Sequence, residues 1–129
     1  MMALAARYLA VLLLLVAGDG LWLSWFAPGM VRPMAGSIML DHVRWSGVAV
    51  FYVIYTGGVL LFPMGLAHDS ASAFGYGGLF GFLAYTTYDA TNYATLKVWA
   101  LPVSILDVGW GTFITALASL VGFWLAQHI

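Results

Sequence analysis

The stretch LAARYLAVLLLLVAGDGLWLSWF, residues 4–26, decides the class of fold that this sequence can form. The hydrocarbon core of a bilayer is about 30 Å thick, and a helix needs roughly 20 apolar residues to cross it. One arginine before an apolar run also resembles a secretory signal peptide. The apolar run, however, continues through Trp25 and Phe26, which is longer than the apolar region of a signal peptide. The stretch is therefore predicted to be a membrane span that stays in the protein.

The remaining sequence has the same apolar character. The whole chain of 129 residues is 64% hydrophobic and 16% aromatic, with a mean hydropathy of +0.98. Soluble domains are only about 45 to 50% apolar. Hydropathy predicts one transmembrane domain, residues 1–129, with spans at about 4–26, 45–66, 72–95 and 102–127. Short connections make neighbouring helices antiparallel. We therefore predict an all-α integral membrane four-helix bundle with up-down-up-down topology.

Loops and glycines refine this bundle. Residues 27–44, APGMVRPMAGSIMLDHVR, hold two prolines and two glycines, so this connection is predicted to be non-helical or interfacial. Gly77 and Gly81 have the GxxxG spacing that allows another helix to approach closely. Packing within the monomer is favoured for this pair, and a homo-oligomer is the alternative. Most basic residues lie in the first and third loops, which places these loops in the cytoplasm by the positive-inside rule.

Several classes of function are disfavoured by composition. The net charge is only -1 and no cluster of Lys and Arg exists, so a nucleic-acid partner is not expected. The absence of cysteine excludes disulfides, thiolate nucleophiles and iron–sulfur clusters. His42, His68 and His128 lie in loops or near the terminus without a metal-binding spacing, so no metal site is predicted. A hard cation held by carboxylate oxygens stays an alternative, and the sequence leaves any cofactor unknown.

Polar residues concentrate in YTTYDATNYATLK, residues 85–97, although charged residues make up only 7% of the chain. Asp19, Asp89 and Asp107 all fall near span ends that point to the same side of the membrane. Each lies within roughly two or three helical turns of the surface, at about 1.5 Å per residue. We therefore predict one ligand-binding site in one leaflet. Its predicted residues are Asp19, Tyr85, Tyr88, Asp89, Asn92, Thr95, Lys97, Asp107 and Trp110.

The chemistry of such a site depends on how its carboxylates are neutralised. An ionised carboxylate at the centre of a membrane helix costs about 2.5 to 3.5 kcal/mol, so it usually faces the bundle interior and is paired. Lys97, Arg44 or Arg32 could supply that pairing, or one aspartate could stay protonated. A polar network that only fixes the helix register is the alternative to a ligand cavity. Acid–base chemistry by an aspartate with a tyrosine donor is conceivable, so enzymatic activity stays open.

Three motifs resemble a known family. The pattern Y-x-x-Y-D-x-T-N-x-A-T-L begins at Tyr85, D-x-x-W-G begins at Asp107, and an earlier D-x-x-W begins at Asp19. With these motifs the sequence resembles, over essentially its whole length, the family named Domain of Unknown Function twenty-one seventy-seven. The resemblance implies a bacterial inner-membrane protein with four spans. It also hints at membrane-lipid modification, through an association with fatty-acyl methylation.

Two functional hypotheses follow. The first is a lipid-associated enzyme or accessory subunit in membrane-lipid modification, located in the bacterial inner membrane. Its intramembrane polar pocket would take a lipid or another small amphiphile, and its protein partner would be a second copy or a membrane enzyme. The alternative is a small transporter or a module that binds a cation or a proton, because carboxylates inside the membrane often mark ion pathways.

Overall fold

The computed structural model describes residues 2–128, and none of these residues lies in a β-strand. A π-helical segment, Ala27–Val31, follows the first helix, and a 3-10 turn, Gly36–Ile38, follows the second. The α-helices are α1 (Met2–Phe26), α2 (Arg32–Ala35), α3 (Trp45–Leu61), α4 (Pro63–Leu66), α5 (Ser70–Thr95) and α6 (Leu101–His128). The prediction of an all-α protein is confirmed.

Three helical segments are long and apolar enough to cross a membrane, by length and composition. They are Met2–Ile38, Trp45–Leu66 and Leu101–His128. The fourth long helix, α5, is not among them, since it is less apolar and rich in glycine, threonine and tyrosine. Its 26 residues nevertheless extend for about 39 Å at 1.5 Å per residue. The chain is therefore a helical membrane protein with four long helices.

Residues 27–44 are helical as far as Ile38, which contradicts the non-helical alternative for this connection, whereas its interfacial position stays a prediction. Helical structure continues from α1 as far as Ile38, and only residues 39–44 are non-helical. Pro28 and Pro33 occupy the first turns of the π-helical segment and of α2, where a missing N–H is tolerated. The Ala100 N–H donates to Met34 Sδ at 3.0 Å, so this extension of α1 contacts the loop between α5 and α6.

A tight turn, residues 67–69, joins α4 to α5. Asp69 Oδ1 accepts a hydrogen bond from the Ser72 N–H at 2.7 Å, and Ser72 Oγ accepts one from the Asp69 N–H at 3.0 Å. This reciprocal pair is a capping box, which satisfies backbone donors at the start of the helix. The backbone and side-chain hydrogen bonds from Ser72 hold the pKa of Asp69 below its ordinary value of 3.8.

The interface between α5 and α6 is the most extensive in the bundle. Gly77 lies against Ser119, and a Cβ added to Gly81 would lie 2.7 Å from Thr115 Cβ. The two glycines therefore let the backbones of α5 and α6 approach each other within one monomer. The order of these contacts shows that α5 and α6 run antiparallel. Farther along the same interface, the ring of Tyr85 packs directly on Gly111.

Helices α1 and α3 pack on this pair of helices. Arg7 donates to the Ala126 carbonyl oxygen at 3.3 Å while Gly18 lies against Ile114, so α1 also runs antiparallel to α6. The Tyr55 hydroxyl of α3 is hydrogen-bonded to the Thr115 hydroxyl of α6 at 2.7 Å. The buried core that results consists of Val11, Leu15, Tyr55, Val59, Ile114 and Ala118.

Candidate functional site

A cavity of about 270 Å³ lies between the four long helices. It occupies the end of the bundle next to the first loop and the α5–α6 loop, because α1 and α5 contribute their C-terminal halves and α3 and α6 their N-terminal halves. The lining contains two carboxyl groups and six aromatic rings. The lining residues are Asp19, Trp22, Leu23, Phe51, Tyr52, Ala84, Tyr85, Tyr88, Asp107 and Trp110.

Asp19 is a polar group of the cavity that accepts two hydrogen bonds. Its side chain is only 4% exposed, although α1 is otherwise apolar around it. The Tyr52 hydroxyl donates to Oδ2, and Trp110 Nε1–H donates to Oδ1 at 2.8 Å. The neighbouring Gly18 lets α1 approach Ile114 of α6 closely, which brings the carboxylate within reach of the indole. Asp19 is therefore held by neutral donors from two other helices.

Aromatic rings form most of the remaining wall. Trp22 of α1 and Trp110 of α6 stack with ring centroids 5.1 Å apart and ring planes within 3° of parallel. Phe51 meets Tyr52 edge to face at 4.9 Å. Tyr85 reaches the cavity from α5 across Gly111, whose lack of a Cβ leaves room for its ring. The cavity thus presents several π faces, which carry partial negative charge.

Asp107 and Asp89 form a pair of carboxyl groups between α5 and α6. Asp107 is half-buried and lines the cavity, one helical turn before Trp110. Asp89 is 0% exposed, and neither of its carboxyl oxygens has a hydrogen-bond partner among the described residues. Its carboxyl group lies beside that of Asp107. Two adjacent carboxyl groups in an apolar environment repel each other unless a proton or another cation neutralises one of them.

No lysine or arginine within residues 2–128 forms an ion pair with these three aspartates. The ion pair that does occur there joins His68 to Asp69 at 3.5 Å, in the α4–α5 turn. Lys97 and Arg44 are exposed, and neither supplies the pairing considered from the sequence. In the same part of the chain, no group of three or more His, Cys, Asp or Glu residues could hold a metal ion. The cavity therefore contains carboxyl groups without a cationic partner from the protein.

Five of the nine residues predicted for the site line the cavity, namely Asp19, Tyr85, Tyr88, Asp107 and Trp110. Asp89 lies behind Asp107 rather than in the wall. Asn92, Thr95 and Lys97 are not among the lining residues. The Thr95 hydroxyl donates to the Thr91 carbonyl oxygen of its own helix at 2.7 Å, and Lys97 is exposed in the turn after α5.

Sequence reasoning missed much of the aromatic wall. It did not include Trp22 or Phe51 among the predicted site residues. The spacing of the two D-x-x-W motifs contained the missing signal, because it places a carboxyl group and an indole one turn apart on one helix face. Asp19 with Trp22, and Asp107 with Trp110, are the two pairs that meet in the cavity.

Long apolar helices enclosing a cavity define this chain as a helical membrane protein. A family model described as "Predicted membrane protein (DUF2177)" matches residues 4–124. The chain belongs to this family, so the resemblance inferred from its motifs is confirmed. Comparison with curated proteins and with solved structures finds no match.

Proposed function

We propose that this chain is a four-span protein of the bacterial inner membrane that binds a small amphiphile, such as a lipid, in its cavity. In this proposal it serves membrane-lipid modification as an enzyme or as an accessory subunit. The observation that carries the proposal is a cavity with polar groups inside and an apolar rim.

Helix α5 is the fourth span in this proposal, which gives up-down-up-down order. Its close-packed glycines and its buried carboxyl group lie against α6, through Gly77, Gly81 and Asp89. Its outer side exposes large apolar side chains, among them Phe74 and Leu79. A carboxyl group that faces the bundle interior is typical of a span in a membrane bundle. The composition of such a helix understates how apolar its outer face is, because composition averages over both faces.

The rim of the cavity supports an amphiphilic ligand. Leu23, Phe51 and Tyr88 line the cavity and are also exposed on the outer surface, Tyr88 by 57%. In a bilayer these side chains would contact acyl chains. Asp19 and Asp107 lie on the inner wall. An amphiphile could therefore insert its head between the helices while its chain remains in the lipid, as is typical of pockets with a few polar groups in apolar walls.

A cation transporter, or a module that binds a cation or proton, is the second candidate function. One specific observation favours it, namely that Asp19, Asp89 and Asp107 lack a lysine or arginine partner within the described residues. Intramembrane carboxyl groups of this kind often belong to ion or proton pathways. In a deletion strain, an altered fatty-acid composition would support the lipid function. A pH- or ion-dependent flux in proteoliposomes would support transport instead.

Filling the cavity tests amphiphile binding directly. Ala84 lines the cavity on α5, whereas Ala90 is exposed on the same helix. We expect native mass spectrometry of protein released from nanodiscs of host lipid to show a retained amphiphile for the wild type and for Ala90→Phe. Ala84→Phe should lose it, because the new ring occupies the space of the head. Equal retention by Ala84→Phe and Ala90→Phe would contradict the proposal.

A further inference from the structure

We propose that the head of the bound amphiphile is an organic cation, an amine or a quaternary ammonium group. This inference rests on the proposed function and specifies the chemistry of its ligand. It is carried by two observations that are independent of each other. One is the charge of the cavity, and the other is the character of its walls.

The carboxyl groups of the cavity have no cationic partner in the described part of the chain. Asp19 accepts hydrogen bonds from Tyr52 and Trp110, which are both neutral donors. Asp107 faces the cavity beside the fully buried Asp89, whose two oxygens have no partner in the described chain. A cationic head would therefore supply the partner that these carboxyl groups lack in the described chain. An anionic head, such as a phosphate without an amine, would be repelled from this position.

The walls favour an organic cation over a metal ion. A metal ion takes several oxygen or nitrogen ligands at short distances, and no suitable group of three such residues occurs within residues 2–128. Indole and phenol rings instead attract ammonium groups over their faces, and quaternary ammonium ligands are commonly bound by aromatic cages. Tyr85 and Tyr88 of α5 meet neighbouring rings edge to face rather than in stacks, so each can present a face to the cavity. The inner space of about 270 Å³ also exceeds what a bare ion needs.

Two sources of an ammonium group are compatible with this chemistry. One is the headgroup of a membrane lipid, and the other is a free amine that enters from water. The exposed apolar rim formed by Leu23, Phe51 and Tyr88 would add affinity for a probe with an alkyl chain. The rim would add little affinity for a small ammonium ion that has no alkyl chain. Comparing these two probes therefore distinguishes the sources.

The test uses the full chain purified in an uncharged detergent, with isothermal titration calorimetry as the measurement. The probes are dodecyltrimethylammonium, its neutral isostere with carbon in place of nitrogen, and tetramethylammonium. We expect the wild type to bind dodecyltrimethylammonium about tenfold more tightly than the neutral isostere. If tetramethylammonium binds much more weakly than dodecyltrimethylammonium, the natural ligand is a lipid headgroup. If the two probes bind with comparable affinity, the natural ligand is a free amine. Both results support a cationic ligand.

Variants assign the preference to the cavity. Asp19→Asn should give about equal affinity for the cation and for its neutral isostere, since the substitution removes the carboxylate charge and keeps the size of the side chain. Tyr88→Leu should lower cation affinity by about threefold or more through the lost π face. Tyr93→Leu, at an exposed tyrosine of the same helix that does not line the cavity, is the matched control and should bind like the wild type. If Asp19→Asn fails to fold, Tyr88→Leu against Tyr93→Leu decides the outcome.

Two results overturn the inference, and they are distinguishable. Equal affinity of the wild type for the cation and for its neutral isostere would reject a cationic head but leave amphiphile binding intact. Absence of binding for every probe would also reject it. If, in addition, Ala84→Phe retained the host amphiphile as well as Ala90→Phe does, the proposed function itself would fail.

Discussion

Asp89 is a buried polar residue whose position costs the fold free energy. Its side chain is fully buried between α5 and α6, its oxygens lack hydrogen-bond partners in residues 2–128, and its nearest charged neighbour is another carboxyl group, Asp107. Removing a buried polar group that has no partner recovers the free energy of its desolvation. A residue that destabilises the fold in this way is more easily explained by binding than by structure.

We predict that Asp89→Leu raises the free energy of unfolding by about 1 to 3 kcal/mol, because it replaces an unsatisfied carboxyl group with an apolar side chain. The same change at the exposed Asp41 should stay within about 0.5 kcal/mol of the wild type. Thermal unfolding in detergent measures both. Retention of the bound amphiphile should fall for Asp89→Leu. A clear loss of stability would show instead that Asp89 has a structural partner.

The position of each aspartate along its predicted span was the property from which the sequence could predict the site. This position put Asp19, Asp89 and Asp107 near helix ends on one side of the bundle, and the structure has all three there. Sequence could not show that Thr95 and Lys97 lie beyond the cavity, because this depends on where α5 ends and how α6 begins. It also could not distinguish a tryptophan in a cavity wall from one in an interfacial belt, since both are partly buried.

At the scale of elements, glycine sets the distance between α5 and α6. We predict that Gly81→Ala lowers the free energy of unfolding by about 1 to 3 kcal/mol, since its added methyl group would overlap Thr115 and the Gly111 carbonyl oxygen. Gly75→Ala is the control, because no atom lies within 4 Å of its added Cβ. Thermal unfolding should leave that variant within about 0.5 kcal/mol of the wild type. Similar losses for both would mean that helix flexibility, rather than packing, requires glycine.

The capping box of α5 gives a prediction for pH. The Ser72 hydrogen bonds lower the pKa of Asp69 below 3.8 in the folded protein, so the folded state favours the ionised carboxylate. The stabilisation is therefore complete above the unfolded-state pKa and is lost as the pH falls through the lower folded-state pKa. We expect amide exchange at Ser72, corrected for intrinsic rate, to lose protection from about pH 4 downward. Asp69→Asn should remove this pH dependence, and an unchanged dependence in that variant would contradict it.

Sequence patterns predicted the long helices well and the connection after α1 poorly. Prolines and glycines in residues 27–44 normally indicate a loop. The positions of Pro28 and Pro33 at first turns made them compatible with helix instead. A proline can be assigned to a first turn only when the start of its helix is known. That start depends on tertiary contacts, such as the contact of Met34 with the α5–α6 loop.

At the scale of the whole molecule, the proposed topology predicts which loops share a side of the membrane. The chain has no cysteine, so single-cysteine variants can be labelled without background. We expect a membrane-impermeant maleimide to reach Asp41→Cys and Lys97→Cys from one side and His68→Cys from the other, because α3 and α4 together cross the bilayer. All three positions are exposed. Labelling of His68→Cys from the same side as Asp41→Cys would exclude that crossing.

The cavity lies at one end of the bundle only, beside the first loop and the α5–α6 loop. In the proposed four-span arrangement this cavity would bind lipids of a single monolayer and would not reach those of the opposite one. Its occupancy would then follow the transbilayer asymmetry of the membrane rather than its average composition. A flippase that moved the ligand to the distal monolayer would empty the cavity without changing the total amount of that lipid in the cell.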